Sequence, residues 1–478
     1  MNKYRFMVGV VAAVLLLGCS VAFALESSIQ PTGVIRYNKA KAFQGYTLVT
    51  ANTSNRAFLL DMEGNVVHKW QMKYNAGLYA LLLPNGNLLA GGSLRQEAPV
   101  NFGGSSGMIT EYDWNGNVVW EWKELSDTFV QHHCFYRMPN GNTLVLGWEY
   151  KSYEEAIAKG RDPKTLSQEG YNNHGKLIKG IWPDYVREIS PDKKIVWEWH
   201  AWDHLGKGEN QIDINFVLPK KARYMAGPDW THFNTVEYIA ETDQIILNSR
   251  NFGEFYLINH KTGAIEWRWG NPSAYGKGKG PSFLDDGDQQ LFGPHHVTKL
   301  DNGNFLAFDN GWHRSEGERS RVLEIDPKTG KVAWQWISKL AHTFNSRYQG
   351  AVHKLPNGNY LITSSGLGHL LEVTGDKKGE IVWEWVNPLI NNNPKCFLTD
   401  DDLIGDPMEQ VAGNTMHRAY RYGKDYPGLK GKDLSKKEPF VPGGCFEMWK
   451  LYAKEEAKAA KAAAKPAAAK EPAKKATK

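Results

Sequence analysis

Short apolar or aromatic runs alternate with polar turn sequences along most of this chain, and no helical period is sustained between them. One complete unit lies between Leu291 and Trp336. An apolar run enters at Leu291, turns at Asp301-Asn302-Gly303-Asn304 and continues as Phe305–Phe308. After a polar segment, Arg321–Ile325 turns at Asp326–Gly330 into Lys331–Trp336. Asn-Gly and Thr-Gly supply the positive φ that tight hairpin turns require, so the unit predicts a four-stranded antiparallel meander. Its closing Trp-x-Trp, or a variant, returns at His68/Trp70, Trp120/Trp122, Trp197/Trp199, Trp267/Trp269, Trp334/Trp336 and Trp383/Trp385. Its Asn-Gly-Asn turn returns at Asn85, Asn140, Asn302 and Asn357, with Glu241–Gln244 in that place in the fourth unit. Six such units predict an all-β chain closed radially into a six-bladed β-propeller of mostly four-stranded antiparallel blades, an architecture that leaves only short edges. An N-terminal strand completing the last blade would lock the ring.

The ends read differently. Lys3 and Arg5 precede an apolar run from Phe6 to Leu17, and Ala22-Phe-Ala24 is a small-x-small cleavage pattern, so residues 1–24 read as an export signal. Leu16-Leu-Gly-Cys19 also has the form of a lipoprotein box, which leaves room for a lipid anchor on Cys19. Residues 25–450 form the propeller domain, and 451–478 are an Ala/Lys-rich solvated tail. The destination is the periplasm. The 478 residues carry 18 Trp, 21 Tyr, 19 Phe and 47 Gly, a composition suited to short strands and turns. The formal charge of +5 resides in the signal and the tail; the body between them is slightly negative, so nucleic acid is not expected as a partner.

Histidines recur at one structural position. His132/His133, His232 and His295/His296 open the strand that precedes the Asn-Gly hairpin or its substitute, and His353 is displaced slightly along its own strand. In a propeller those strand starts converge on the axis. Arg250 and Arg314 follow the next strand of the fourth and fifth units. Imidazoles and guanidinium groups around one point suit transfer of an anionic group: a neutral His attacks, a second moves a proton, and Arg neutralises the oxygens in flight. No carboxylate set or HxH spacing supports a metal. Adjacent strand residues face opposite ways, so His132, His133 and Cys134 are not expected to share a ligand. Cys396 and Cys445 flank the last long loop and could pair in an oxidising compartment. A noncatalytic exported propeller that binds an anionic or aromatic ligand would share the fold and export, and is the alternative reading.

Asp229-Trp-Thr-His232-Phe-Asn234, Ser249-Arg250-Asn-Phe-Gly-Glu-Phe-Tyr, His260-Lys-Thr-Gly-Ala-Ile-Glu-Trp and Gly293-Pro-His295-His296 leading into Phe308-Asp-Asn-Gly together resemble bacterial arylsulfotransferases that are independent of the nucleotide sulfate donor PAPS. The resemblance implies a six-bladed propeller with a central active site. It also implies ping-pong transfer of a sulfuryl group from a phenolic sulfate ester to a phenolic acceptor through a sulfohistidine, with no cofactor. By motif it assigns catalysis to His232, His296 and Arg314, with His353 as nucleophile and His417, in Asn414–Arg421, as its rival. His295, Asn234, Arg250 and His133 are the expected substrate contacts. The family resemblance also favours a Cys396–Cys445 disulfide, and a homodimer is compatible with the sequence.

Overall fold

A computed structural model describes residues 32–439 apart from 53, 174–175, 218–226, 283, 340–343 and 389–414. The export signal, Cys19, Cys396, Cys445 and the Ala/Lys-rich tail lie outside the described residues.

Six antiparallel sheets carry the chain, as the repeats predict. Blade two runs outward through Ala76–Leu82, Leu88–Ser93, Gly107–Tyr112 and Val118–Lys123. Blade three is Phe129–Arg137, Thr143–Glu149, Asp184–Ile189 and Ile195–His200. Blade four is Phe233–Ile239, Gln244–Ser249, Glu254–Asn259 and Ile265–Trp269. Blade five is His295–Lys299, Phe305–Asp309, Arg321–Asp326 and Lys331–Trp336. Blade six is Ala351–Lys354, Tyr360–Ser364, His369–Val373 and Ile381–Val386.

Two interactions explain why the sequence landmarks recur. The Asn of each Asn-Gly-Asn turn reaches a glutamate on the third strand of its own blade, as Asn87 does to Glu111 (2.7 Å), Asn304 to Glu324 (3.0 Å) and Asn359 to Glu372 (2.7 Å). The outer-strand tryptophans tie each blade to the next. Trp70 donates to Asp113 O, Trp120 to Pro191 O, Trp199 to Gly263 O, Trp269 to Gly330 O and Trp336 to Gly379 O. Trp383 of blade six then donates to Met62 O of blade one at 2.9 Å, closing the circle. Each indole fills the gap between two sheets and places its N–H on a carbonyl, the behaviour expected of a buried aromatic with one polar handle.

Ring closure differs from the expectation. The N-terminal strand Gly33–Tyr37 does join blade six, but at its outer edge, against Val386 to Trp383. The innermost strand of blade one comes from the far end of the chain: Tyr420–Gly423 pairs with Gly45–Leu48. Blade one is therefore Tyr420–Gly423, Gly45–Val49, Arg56–Leu60 and Asn65–Gln71, with Glu438–Pro439 outside. This splice carries the residues just before Tyr420 to the axis.

The long insertion in blade three forms a helix, Tyr153–Ala158, started by a Ser152/Glu155 capping box, and a small hairpin, Tyr171–Asn173 with Lys176–Ile178. The capping box satisfies two amides at the helix start that have no partner within the helix.

Candidate functional site

Inner strands supply the site because only they reach the axis. The ring of His133 stands 4.8 Å from that of His232 and 6.3 Å from that of His417, and His417 stands 6.3 Å from His295. Four blades thus contribute one imidazole each to a shared hub. His133, His232 and His296 have φ of +47°, +46° and +47°. Left-handed backbone at non-glycine residues costs about 1–3 kcal/mol each and concentrates at functional sites.

The same backbone overturns one expectation. Strict alternation would put His132 and His133 on opposite faces. A register irregularity between Val145 and Gly147, with positive φ at His133, instead brings their Nδ1 atoms to 2.8 Å. His132 is completely buried, flat against Trp148 (3.6 Å), with Nε2 2.9 Å from Asp184 Oδ1. His133 lies over Gly104, where an added Cβ would meet the ring at 2.2 Å. Gly104 is therefore glycine for close approach, and its φ of +79° also favours it.

Each remaining histidine has a distinct bonding state. His232 Nδ1 donates to Asp229 Oδ2 at 2.6 Å, which orients the ring. His295 is used at both ends: Nδ1 donates to Asn310 Oδ1 (2.7 Å) and Nε2 accepts from the Gln349 amide (3.2 Å). His296 contacts the Val352 backbone carbonyl through Nδ1 (2.9 Å) and lies 4.4 Å from the His353 ring. His353 packs on Tyr420 (4.3 Å), and its Nε2 is buried without a partner among the described residues. His417 has both ring nitrogens buried and unpartnered among the described residues, and the residue is 0% exposed.

Burial keeps His133, His295, His296, His353 and His417 neutral. Burial pushes His133, His295, His296 and His417 well below the ordinary value of 6.5, because a desolvated cation is disfavoured. Charged and titratable neighbours add to this: His232 at His133, Arg250 at His295, His353 at His296 and Arg418 at His417. His353 is lowered to about 3 by burial and Arg418.

The two expected arginines separate. Arg250, whose amide donates to His232 O (3.1 Å), lies over the Trp312 ring at 4.2 Å and depresses His295. Arg314 pairs with Asp309, donates to Arg319 O (3.0 Å) and sits 5.1 Å over Phe292. Asp309 also holds Arg321 at 2.8 Å. Asn234 is fully buried and saturated: it donates to Pro294 O (2.8 Å) and accepts from Asn248 (2.6 Å), bridging blades four and five. Among the described residues, no three His, Cys, Asp or Glu side chains converge closely enough to hold a metal ion.

Sequence reasoning gave no role to Asp229, Trp148, Asp184 or Arg418, and counted His132 only among the strand-opening histidines. Asp229 carries a local signal, three residues before His232. Arg418 stands beside His417 in the quoted C-terminal run, but nothing in the sequence shows that this run is an inner strand.

No curated protein matches the chain. Among solved structures it is similar to a protein of unknown function from Bacteroides caccae, at 11% identity over 72% of this chain and 94% of that one, with a TM-score of 0.44. It is also similar to hydrazine synthase from Kuenenia stuttgartiensis (12%; 73% and 81%; TM-score 0.37) and to virginiamycin B lyase from Staphylococcus aureus (10%; 74% and 88%; TM-score 0.36). Likenesses this distant carry no argument, and the architecture rests on the strand pairing above. The family description Arylsulfotransferase (ASST) matches residues 32–387, which span all six blades apart from the strands at Tyr420 and Glu438. The chain therefore belongs to the arylsulfotransferase family, enzymes independent of PAPS.

Proposed function

We propose that this arylsulfotransferase moves a sulfuryl group from a phenolic sulfate ester to a phenolic acceptor in two half-reactions, with His417 as the transient carrier. One observation carries the choice of His417: its two ring nitrogens are buried and unpartnered among the described residues, between His133 and His295. An in-line nucleophile needs an unprotonated nitrogen that no hydrogen bond already occupies. His295 lacks a free nitrogen, and His353 lies beside His296 and Tyr420.

In the first half-reaction a nitrogen of His417 forms a bond to sulfur as the sulfur–aryl oxygen bond breaks. The departing phenolate takes the Nε2 proton of His232, which enters this step as an imidazolium paired through Nδ1 with Asp229. Arg250 provides positive charge for the sulfuryl oxygens, where a loose transition state spreads its charge. In the second half-reaction an acceptor phenol gives its proton to His232, its oxygen bonds to sulfur and the nitrogen–sulfur bond breaks. A phenol leaves with modest acid help because its pKa is about 10. The ester already carries the activated group, so no diffusible cofactor enters. The export signal read in the sequence puts this chemistry in the periplasm.

Rapid mixing with a chromogenic aryl sulfate in the absence of acceptor tests the reading. A burst of phenol stoichiometric with protein is expected, followed by turnover only when a phenol is added. Absence of both burst and turnover would leave a noncatalytic binding propeller.

A further inference from the structure

Of the four buried arginines among the described residues, Arg268 and Arg421 are matched by a carboxylate, as are the part-buried Arg187 and Arg314, whereas Arg161 and Arg418 are not; Arg161 donates to the carbonyls of Ile214 and Thr165. Arg421 pairs with Glu372, Arg268 with Glu254, Arg187 with Glu124 and Arg314 with Asp309. Arg418 is 3% exposed, and among the described residues no carboxylate comes within ion-pairing distance of it. Its guanidinium donates to Asn234 O at 2.9 Å and to Cys134 Sγ at 3.3 Å, and lies 4.7 Å over the Tyr79 ring; Nε has no partner among the described residues. Cys134 Sγ also donates to Val236 O (3.5 Å).

The titratable groups that face Arg418 do not neutralise it. Burial pushes the Tyr79 hydroxyl well above 10 and Tyr420 to about 12. The carboxyl of Glu237, which feels Arg418, is pushed up to about 8 by burial and is mostly protonated at neutral pH. His296, His353 and His417 are the remaining neighbours, and each is disfavoured as a cation by Arg418. His417 in turn faces His133, His295 and Tyr79. An uncompensated buried charge is expensive, and Arg418, unlike Arg161, bears that cost beside the hub imidazoles.

We propose that Arg418 is a positioning residue for sulfuryl transfer: seated beside His417 without a carboxylate partner, it supplies the fixed positive charge that disfavours a second proton on the hub imidazoles and offsets the charge of the bound sulfuryl group. This rests on the reading of the hub as the transfer site. Arg418 acts through His417 and stays anchored to Asn234 O and Cys134.

The test compares full-length Arg418→Gln and Arg418→Lys with the unaltered protein, following phenol release from an aryl sulfate against pH. In R418Q the acid limb is expected to move up by about one pH unit, and the KM for the aryl sulfate to rise; R418K, which keeps the charge, restores the limb. An identical acid limb in all three proteins overturns the proposal. If R418Q does not fold, ring-nitrogen NMR of the unaltered protein, labelled with 15N-histidine, decides. His417, His353 and His296 should then stay neutral to lower pH than His132, which is at least as buried as any of them and shows no influence from Arg418. Titration of those three at or above the pH of His132 overturns it. The NMR arm needs no turnover, so failure of sulfuryl transfer and failure of the Arg418 role are read separately.

Discussion

His295 and His417 are neighbours of one residue type at one hub, 6.3 Å apart ring to ring, yet their bonding is opposite. His295 spends both nitrogens joining blade five to Gln349, ahead of blade six, and acts as a strut. His417 has no partner for either nitrogen among the described residues, at a buried position where each unsatisfied group costs about 1–3 kcal/mol. A scaffold residue has no reason to retain that cost; a reagent must. In the proposed mechanism, what separates strut from reagent is the occupancy of the ring nitrogens, since burial depresses both imidazoles alike.

The sharpest way to break this comparison is to exchange the losses. His417→Ala should abolish the phenol burst and lower kcat by about 10⁴-fold or more, as removal of a nucleophile does, with melting temperature unchanged or raised. His295→Ala should instead cost about 1–3 kcal/mol of stability, from the orphaned Gln349 amide and Asn310 side chain, while the burst survives. Equal activity losses in the two variants would erase the distinction.

Asp229→Asn comes next. It keeps the shape beside His232 but weakens the charge-assisted bond that orients its ring, so kcat should fall about 10²-fold with little change in KM. A smaller contrast sets Arg250 against Arg314. Arg250→Ala should raise the KM for the aryl sulfate about tenfold or more, by removing a charge beside His295. Arg314→Ala should act mainly on stability, because its guanidinium is bound to Asp309. A larger kinetic loss for Arg314→Ala would return that residue to the site.

The smallest effect is on stability against pH. Imidazoles with depressed folded pKa values are neutral in the folded protein and gain protons on unfolding once pH drops below their ordinary 6.5. Stability is therefore full above about 6.5 and declines as pH falls towards the folded value, about 3 for His353. Chemical denaturation between pH 7 and pH 4 should show that decline in the unaltered protein and a shallower one in His353→Gln.

The blades were legible because their markers are local. The Asn of each Asn-Gly-Asn turn, present in four of the six blades, bonds a glutamate of its own sheet, and a Trp on each outer strand reaches the next blade, so repeat spacing carried the fold. The hub was legible at His232 and His295, which stand at the start of a strand followed by a hairpin, and at His133, which lies inside Phe129–Arg137 rather than at its start. At His417 only the family resemblance made it legible, because the residue lies ahead of the Tyr420–Gly423 strand, which pairs with Gly45–Leu48 from the other end of the chain and has no hairpin after it. The His132–His133 contact depends on a positive φ that an alternating pattern hides. Arg314 occupied the expected sequence position, but its ion pair with Asp309 is tertiary and unmarked in the sequence.

The most direct measurement is the location of the transferred group. The protein is mixed briefly with an aryl sulfate, quenched in alkali to preserve a nitrogen–sulfur bond, digested and sequenced by tandem mass spectrometry. The account predicts one SO₃ group on His417, removed when a phenol is added before the quench. A stable adduct on His353, or on no histidine while phenol release continues, would contradict it.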